Sequence, residues 1–249
     1  MAMDRPDFRT GSLEGARAVI TGATGGIGRA VAHELASRGA TVALLARTRE
    51  KLEAVRAEIG GDTVVISCDL TLGDTPANVL NEVRSRWGRL DILVHSSGEY
   101  LQKAVSDSTI DDLDAVYRNN IRPPYALTLE LLRLLKEAEG QVVFVNSSIT
   151  RAANIAQRGL FAASQHALRA LADGLRDEVN PEGVRVINVY PGTTATARAE
   201  RMFAAGGRAY DPQYLLQAED VAAAIGNALS LPRTAEVTDL YIRPMRKAP

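Results

Sequence analysis

The chain has 249 residues, 46% of them apolar, and 29 Lys plus Arg against 30 Asp plus Glu leave a net charge of −1 with histidines neutral. A length of this order lets one α/β domain bury a full core unaided, so one domain spanning 1–249 is expected. A near-neutral chain has no dominant basic field to recruit nucleic acid or an anionic membrane, which leaves a small molecule as the expected ligand.

The N-terminal segment carries Asp4, Arg5, Pro6, Asp7 and Arg9 and no apolar leader, and no later run approaches the roughly 18 apolar residues of a membrane span. A soluble cytoplasmic protein is expected. Short runs rich in Val, Ile and Leu follow at 17–21, 41–46, 63–67, 91–95, 141–146, 184–189 and 237–242. They lack strict polar alternation, as strands covered on both faces of a parallel sheet do. Between them the helical period predicts helices over 27–38, 49–59, 75–87, 110–137 with an interruption, 162–179 and 218–229. Strand and helix alternating in this way predict a Rossmann-type, doubly wound α/β fold with a mostly parallel seven-stranded sheet. Cys68, the only cysteine, excludes an intramolecular disulfide and reads as a small buried hydrophobe. The stretch 191–217, with Gly192, Gly206, Gly207 and Pro212, shows neither period and is expected to be a loop covering the substrate.

After the first strand comes Thr21-Gly22-Ala23-Thr24-Gly25-Gly26-Ile27-Gly28, opening a helix. Glycines without Cβ let a pyrophosphate approach backbone N–H groups and the positive helix end, although a tight strand-to-helix connection uses the same residues. The spacing G-x-x-x-G-x-G differs from the G-x-G-x-x-G dinucleotide fingerprint. At the end of the second strand an acidic residue would hold the ribose 2′-OH of NAD. Ala46 followed by Arg47, with Arg49 nearby, instead suits a 2′-phosphate.

Further motifs stand in order along the chain: Cys68-Asp69-Leu70, His95-Ser96-Ser97-Gly98, Asn120, Tyr190-Pro191-Gly192 with Thr194 and Thr196, and Ile242-Arg243-Pro244. Together with the glycine turn they resemble the short-chain dehydrogenase/reductase family over essentially the whole chain. The resemblance implies cofactor contacts from Gly22, Thr24, Gly26, Ile27, Gly28, Arg47, Asp69 at the adenine edge, Leu70, Ser96, Gly98, Pro191, Gly192, Thr194 and Thr196. Members with Ala-Arg after the second strand favour NADP(H) over NAD(H). No metal is implied. Family members commonly form homotetramers or homodimers through the helix here at 162–179, whose Leu168, Leu171, Leu175 and Val179 form an apolar stripe.

The family's chemistry uses a Ser, a Tyr about thirteen positions later and a Lys four beyond it. Here those places hold Ser148, Phe161 and Gln165. The phenol that exchanges a proton and the ammonium that lowers its pKa are both missing; Gln165 can still donate N–H to the cofactor ribose. His166 lies about 140° around the helix from Phe161, which points it elsewhere. Tyr100, at the mouth of the fourth strand, is the candidate replacement acid, and His95 reads as a buried, satisfied histidine. Asn120 matches the family asparagine, and Pro123 and Pro124 cannot bond the carbonyls of Asn119 and Asn120, which stay free for water. Three functions follow: an NADP(H)-dependent oxidoreductase of a small carbonyl or enone with altered proton transfer, a catalytically silent NADP-binding or scaffolding protein, and a non-redox enzyme on the same fold.

Overall fold

The structure is a computed structural model in which residues 12–246 are described. The reading of the N-terminal segment falls mostly on residues 1–11, outside the described residues. Seven strands, β1 (Arg17–Thr21), β2 (Thr41–Ala46), β3 (Val64–Ser67), β4 (Ile92–His95), β5 (Gln141–Val145), β6 (Arg185–Pro191) and β7 (Asp239–Ile242), form one sheet in the order β3-β2-β1-β4-β5-β6-β7. Every neighbouring pair is parallel.

The central strands are buried almost without interruption because helices cover both faces, the condition that uninterrupted Val/Ile/Leu runs encode. On one face α1 (Gly26–Ser37) and α8 (Ala218–Leu229) pack Val31, Leu35, Val221 and Ile225 against Ile20, Leu44 and Val143. On the other, α3 (Thr75–Trp87), α5 (Arg122–Ala138) and α6 (Gly159–Val179) enclose Val19, Leu93, Val142 and Val186. The helix α2 (Arg49–Ile59) buries Leu52 and Val55 at one edge. Two helices replace the predicted interrupted one: α4 (Ile110–Asn120) ends where Pro123 and Pro124 withhold their N–H groups, and α5 starts at Arg122. Of the apolar stripe on α6, Leu168, Leu175 and Val179 face the core and Leu171 stands exposed.

The stretch 191–217 departs from expectation, because it contains the nine-residue helix α7 (Ala197–Ala205). The helix is only nine residues long and buries only Ala199 fully, with Met202 and Phe203 half-buried beside it; Thr196 starts it by accepting a hydrogen bond from the Ala199 N–H at 3.3 Å. Among the described residues no helix is long and apolar enough to cross a membrane. Strand order reverses between β1 and β4, and the crevice outside their carboxyl ends is where ligands of such sheets bind.

Candidate functional site

The glycine turn occupies that crevice. Gly22 has φ +67°, and a Cβ on it would lie 2.8 Å from the Ser96 carbonyl oxygen. A Cβ on Gly28 would lie 2.3 Å from the Gly22 carbonyl oxygen, so the turn closes only with glycine there. The Thr21 hydroxyl accepts the N–H groups of Ser96 at 3.0 Å and Ser97 at 3.3 Å, tying the ends of β1 and β4 together. First-turn N–H groups of a helix lack intrahelical acceptors, and α1 has no acidic residue in its first turn to occupy them. A positive helix end of this kind fits a diphosphate. Thr24 and Ile27 flank it half-buried, Ile27 packing on the core.

The 191–217 stretch lies over the same crevice. Gly192 donates its N–H to the Ile242 carbonyl at 2.7 Å, and the Thr194 hydroxyl donates to the Gly192 carbonyl at 2.9 Å. Thr194 also bridges to Leu216. Thr196 reaches the phosphate turn itself: a Cβ on Gly26 would lie 2.4 Å from its Cγ2. From the first turn of α7 the Arg198 guanidinium donates to the Gly98 carbonyl, spanning the crevice from the 191–217 stretch to the loop after β4.

At the end of β2, Ala46 leaves no carboxylate and Arg47 is exposed. Arg49 pairs with Glu53 at 3.4 Å, whereas Arg47 has no ion pair among the described residues. Asp69 Oδ1 accepts from the Thr71 hydroxyl at 2.7 Å and from its N–H at 3.0 Å. These bonds, aided by the Arg47 charge, hold its carboxyl below the usual range. The Leu70 side chain packs on the core, leaving its backbone to the cleft. The half-buried Cys68 thiol is pushed up to about 11 by burial and the Asp69 charge, so it is no nucleophile at neutral pH.

At the other end, Ser148 begins a short 3-10 turn after β5, and its hydroxyl has no partner among the described residues. Phe161 and Gln165 both face inward from α6, while His166 is exposed. Phe161 packs with Ile149 and Ala162, and the Tyr100 ring meets it edge-on with centroids 5.1 Å apart. Tyr100 donates to Gln102 Oε1 at 3.3 Å, and burial raises its pKa. Asn120 is buried: its Oδ1 accepts the Glu99 N–H at 2.6 Å, and its Nδ2 donates to the Glu99 carbonyl and to Ser164 Oγ, each at 3.0 Å. Ser164 Oγ donates to the Phe161 carbonyl at 2.7 Å and accepts from Gln165 Nε2 at 3.4 Å, so one hydroxyl joins α4, α6 and the Gln165 amide.

Sequence reasoning missed Thr21, Ser164, Arg198 and Asn146, whose Nδ2 donates to the Gln165 carbonyl at 3.1 Å. Ser164 had a signal, three residues past Phe161 and one before Gln165; Arg198 had none, lying in a segment read as loop. Tyr190 does not border the cleft: it is fully buried and stacks on Tyr241 at 4.2 Å.

His95 is the buried histidine expected, bonded through Nε2 to Thr128 Oγ1 at 2.8 Å and stacked on Phe144. Burial depresses its pKa from 6.5 to about 3. Protonation then favours the unfolded chain, so this contribution to stability is complete above pH 6.5 and declines as pH falls towards 3. Urea denaturation from pH 7 to 4.5 is expected to show a loss approaching about 1.4 kcal/mol per pH unit from this residue. His95→Gln should flatten that slope while lowering stability at pH 7. An unchanged slope would show that His95 does not carry it.

The parallel doubly wound sheet, with a glycine cradle at its switch point, defines a nucleotide-binding α/β protein. A family model described as short chain dehydrogenase matches residues 16–205, and the chain belongs to that family. It is 28% identical over 229 residues to an uncharacterised oxidoreductase of Staphylococcus epidermidis, covering 92% of this chain and 96% of that one. A short-chain dehydrogenase of Burkholderia cenocepacia in complex with NADP superposes with a TM-score of 0.80 at 33% identity, covering 92% and 97% of the two chains. An alcohol dehydrogenase of the archaeon Thermococcus sibiricus, complexed with 5-hydroxy-NADP, gives 0.83 at 26% identity over 94% and 98%.

Proposed function

We propose that the chain is an NADP(H)-dependent oxidoreductase of a small organic carbonyl or enone, in which the proton is not delivered by the family's Tyr and Lys. The observation that carries the cofactor reading is the end of β2, where Ala46 removes the carboxylate and Arg47 stands exposed, with no ion pair among the described residues, while Arg49 pairs with Glu53. The bound dinucleotide supplies the hydride. The glycine turn holds its diphosphate, Arg47 its 2′-phosphate, Asp69 and Leu70 its adenine edge, and Ser96, Gly98 and the Gln165 amide its nicotinamide half. The segment from Pro191 to Thr196 borders the nicotinamide, and the rest of 191–217 covers the substrate, so a single domain serves both ligands. Ser148 offers the substrate oxygen a hydrogen bond. Phe161 keeps the ring that shapes the pocket, and Tyr100 is the phenol in contact with it. Asn120, whose side chain is committed to Glu99 and Ser164, positions the loop after β4. Two or four copies assemble through the α4, α5 and α6 face, where Tyr117, Tyr125, Leu129 and Leu171 stand exposed.

Arg47→Ala is expected to weaken NADPH binding by about 10–100-fold, the worth of hydrogen bonds to a charged group, and to leave NADH nearly unchanged. Fluorescence titration checks both. Equal effects on the two cofactors would remove Arg47 as the selector. A second reading, a silent NADP-binding or scaffolding member, is favoured by the paired Phe161 and Gln165, which leave neither the phenol nor the ammonium of the family's chemistry at those two positions. NADPH oxidation by the purified protein on a carbonyl and enone panel separates the two.

A further inference from the structure

Several arginines of the chain sit beside a carboxylate, among them Arg29 with Glu58, Arg86 with Glu82, Arg133 with Glu137 and Arg176 with Asp173. Three around the mouth of the substrate cleft do not. Arg158 donates to the Asn154 carbonyl at 2.6 Å, Arg198 to the Gly98 carbonyl, and Arg208 stacks 4.3 Å from the centroid of Phe203. Among the described residues none of the three has a carboxylate within ion-pair distance.

They come from three separate segments: Arg198 meets the loop leaving β4 at Gly98, Arg158 follows Gln157, which is bonded to that loop, and Arg208 acts on it only through its charge. The bond from the Lys103 N–H to the Gln157 carbonyl at 2.7 Å, with Gln102 on Gln157 at 3.3 Å, zips that loop to the residues just before α6. Arg158 is the N-cap of α6, three positions ahead of Phe161, and α6 has no acidic residue in its first turn to offset its positive end. Arg198 and Arg208 arrive from the lid. The charges of Arg158 and Arg208 both act on the Tyr100 phenol, and Arg201 adds to the repulsion on Arg198, against which stands only the exposed Glu99. Gathering like charges without counterions costs free energy that an anionic ligand recovers, and the guanidinium fork matches carboxylate and phosphate oxygens.

Resting on the substrate cleft proposed above, we infer that its mouth is an oxyanion site, so that the compound it takes is a carbonyl or enone bearing a carboxylate or phosphate. Phe161, Ile149 and Tyr100 receive the carbon skeleton and the arginines receive the charged end.

The test is calorimetric titration, with and without saturating NADP+, of levulinate against methyl levulinate and of dihydroxyacetone phosphate against dihydroxyacetone. At least one charged probe is expected to bind about tenfold or more tightly than its neutral partner and to weaken as KCl is added. The pair showing the preference identifies carboxylate or phosphate. Arg158→Gln/Arg208→Gln, and separately Arg198→Gln, should reduce the preference while melting temperature is retained. Equal affinity within both pairs, no binding by any probe, or a preference that survives all these substitutions overturns the inference. Failure of NADP+ itself to bind refutes the cofactor reading instead, and the titrations without NADP+ still decide the anion site.

Discussion

Phe161→Tyr combined with Gln165→Lys is expected to raise NADPH-dependent carbonyl reduction by about 10²–10⁴-fold, the usual worth of a positioned general acid. Neither single change should come near that. Phe161→Tyr alone adds a phenol, but with no ammonium nearby to offset the upward push of burial it stays far from the range in which it exchanges protons readily at neutral pH. Gln165→Lys alone places a charge in a buried position with no phenolate to stabilise, and it removes the amide donor that Gln165 extends to Ser164. The pair should therefore be strongly non-additive. The scaffold is ready for it, since the Ser148 hydroxyl has no partner among the described residues and Asn120 and Asn146 hold the α6 backbone and its surroundings through their own bonds. Values of kcat/KM for the four proteins on one carbonyl panel check this. A double variant no better than the parent would mean that the missing groups do not limit the reaction, and single effects that simply multiply would mean that they do not act as a unit.

The sheet was legible because apolar runs buried on both faces carry their own signature, and each predicted strand appears within two residues of its expected bounds. Chemistry visible as residue type was legible too: a glycine turn, Ala46 with Arg47, Phe161 with Gln165. What escaped was whatever depends on a partner distant in sequence. Nothing in the string around Arg198 tells that its guanidinium meets Gly98, one hundred residues away. Asn120 reads as a helix-end asparagine until its side chain is seen on Glu99 and Ser164. The helix α7 escaped because it spans only nine residues between Gly192 and Gly206-Gly207, so the glycines outweighed the short Ala199, Met202 and Phe203 pattern.

Glycine at 28 and at 26 is required for different reasons, and two substitutions tell them apart. In Gly28→Ala the new Cβ meets the Gly22 carbonyl, backbone of the same turn that cannot step aside without opening the cradle. The expected result is a loss of stability of about 1–3 kcal/mol from overpacking. NADPH binding should vanish from the titratable range, because the carbonyl that must move belongs to the turn that holds the diphosphate. In Gly26→Ala the obstacle is instead the Thr196 methyl, the end of a side chain on the lid. Here the protein should keep its melting temperature within a few degrees but bind NADPH several-fold more weakly, since the lid is pushed off the phosphate turn. Adding Thr196→Ser removes the methyl and keeps the hydroxyl that caps α7, so it should restore binding to Gly26→Ala and do nothing for Gly28→Ala. Thr196→Val keeps one methyl too many and loses the cap, and should restore neither. A coupling energy of about 0.5–3 kcal/mol between positions 26 and 196, measured from NADPH affinities in a double-mutant cycle, is the quantitative expectation. Zero coupling would mean that the lid leaves the glycine turn when the dinucleotide enters, and that the contact between Thr196 and Gly26 belongs to the free protein alone.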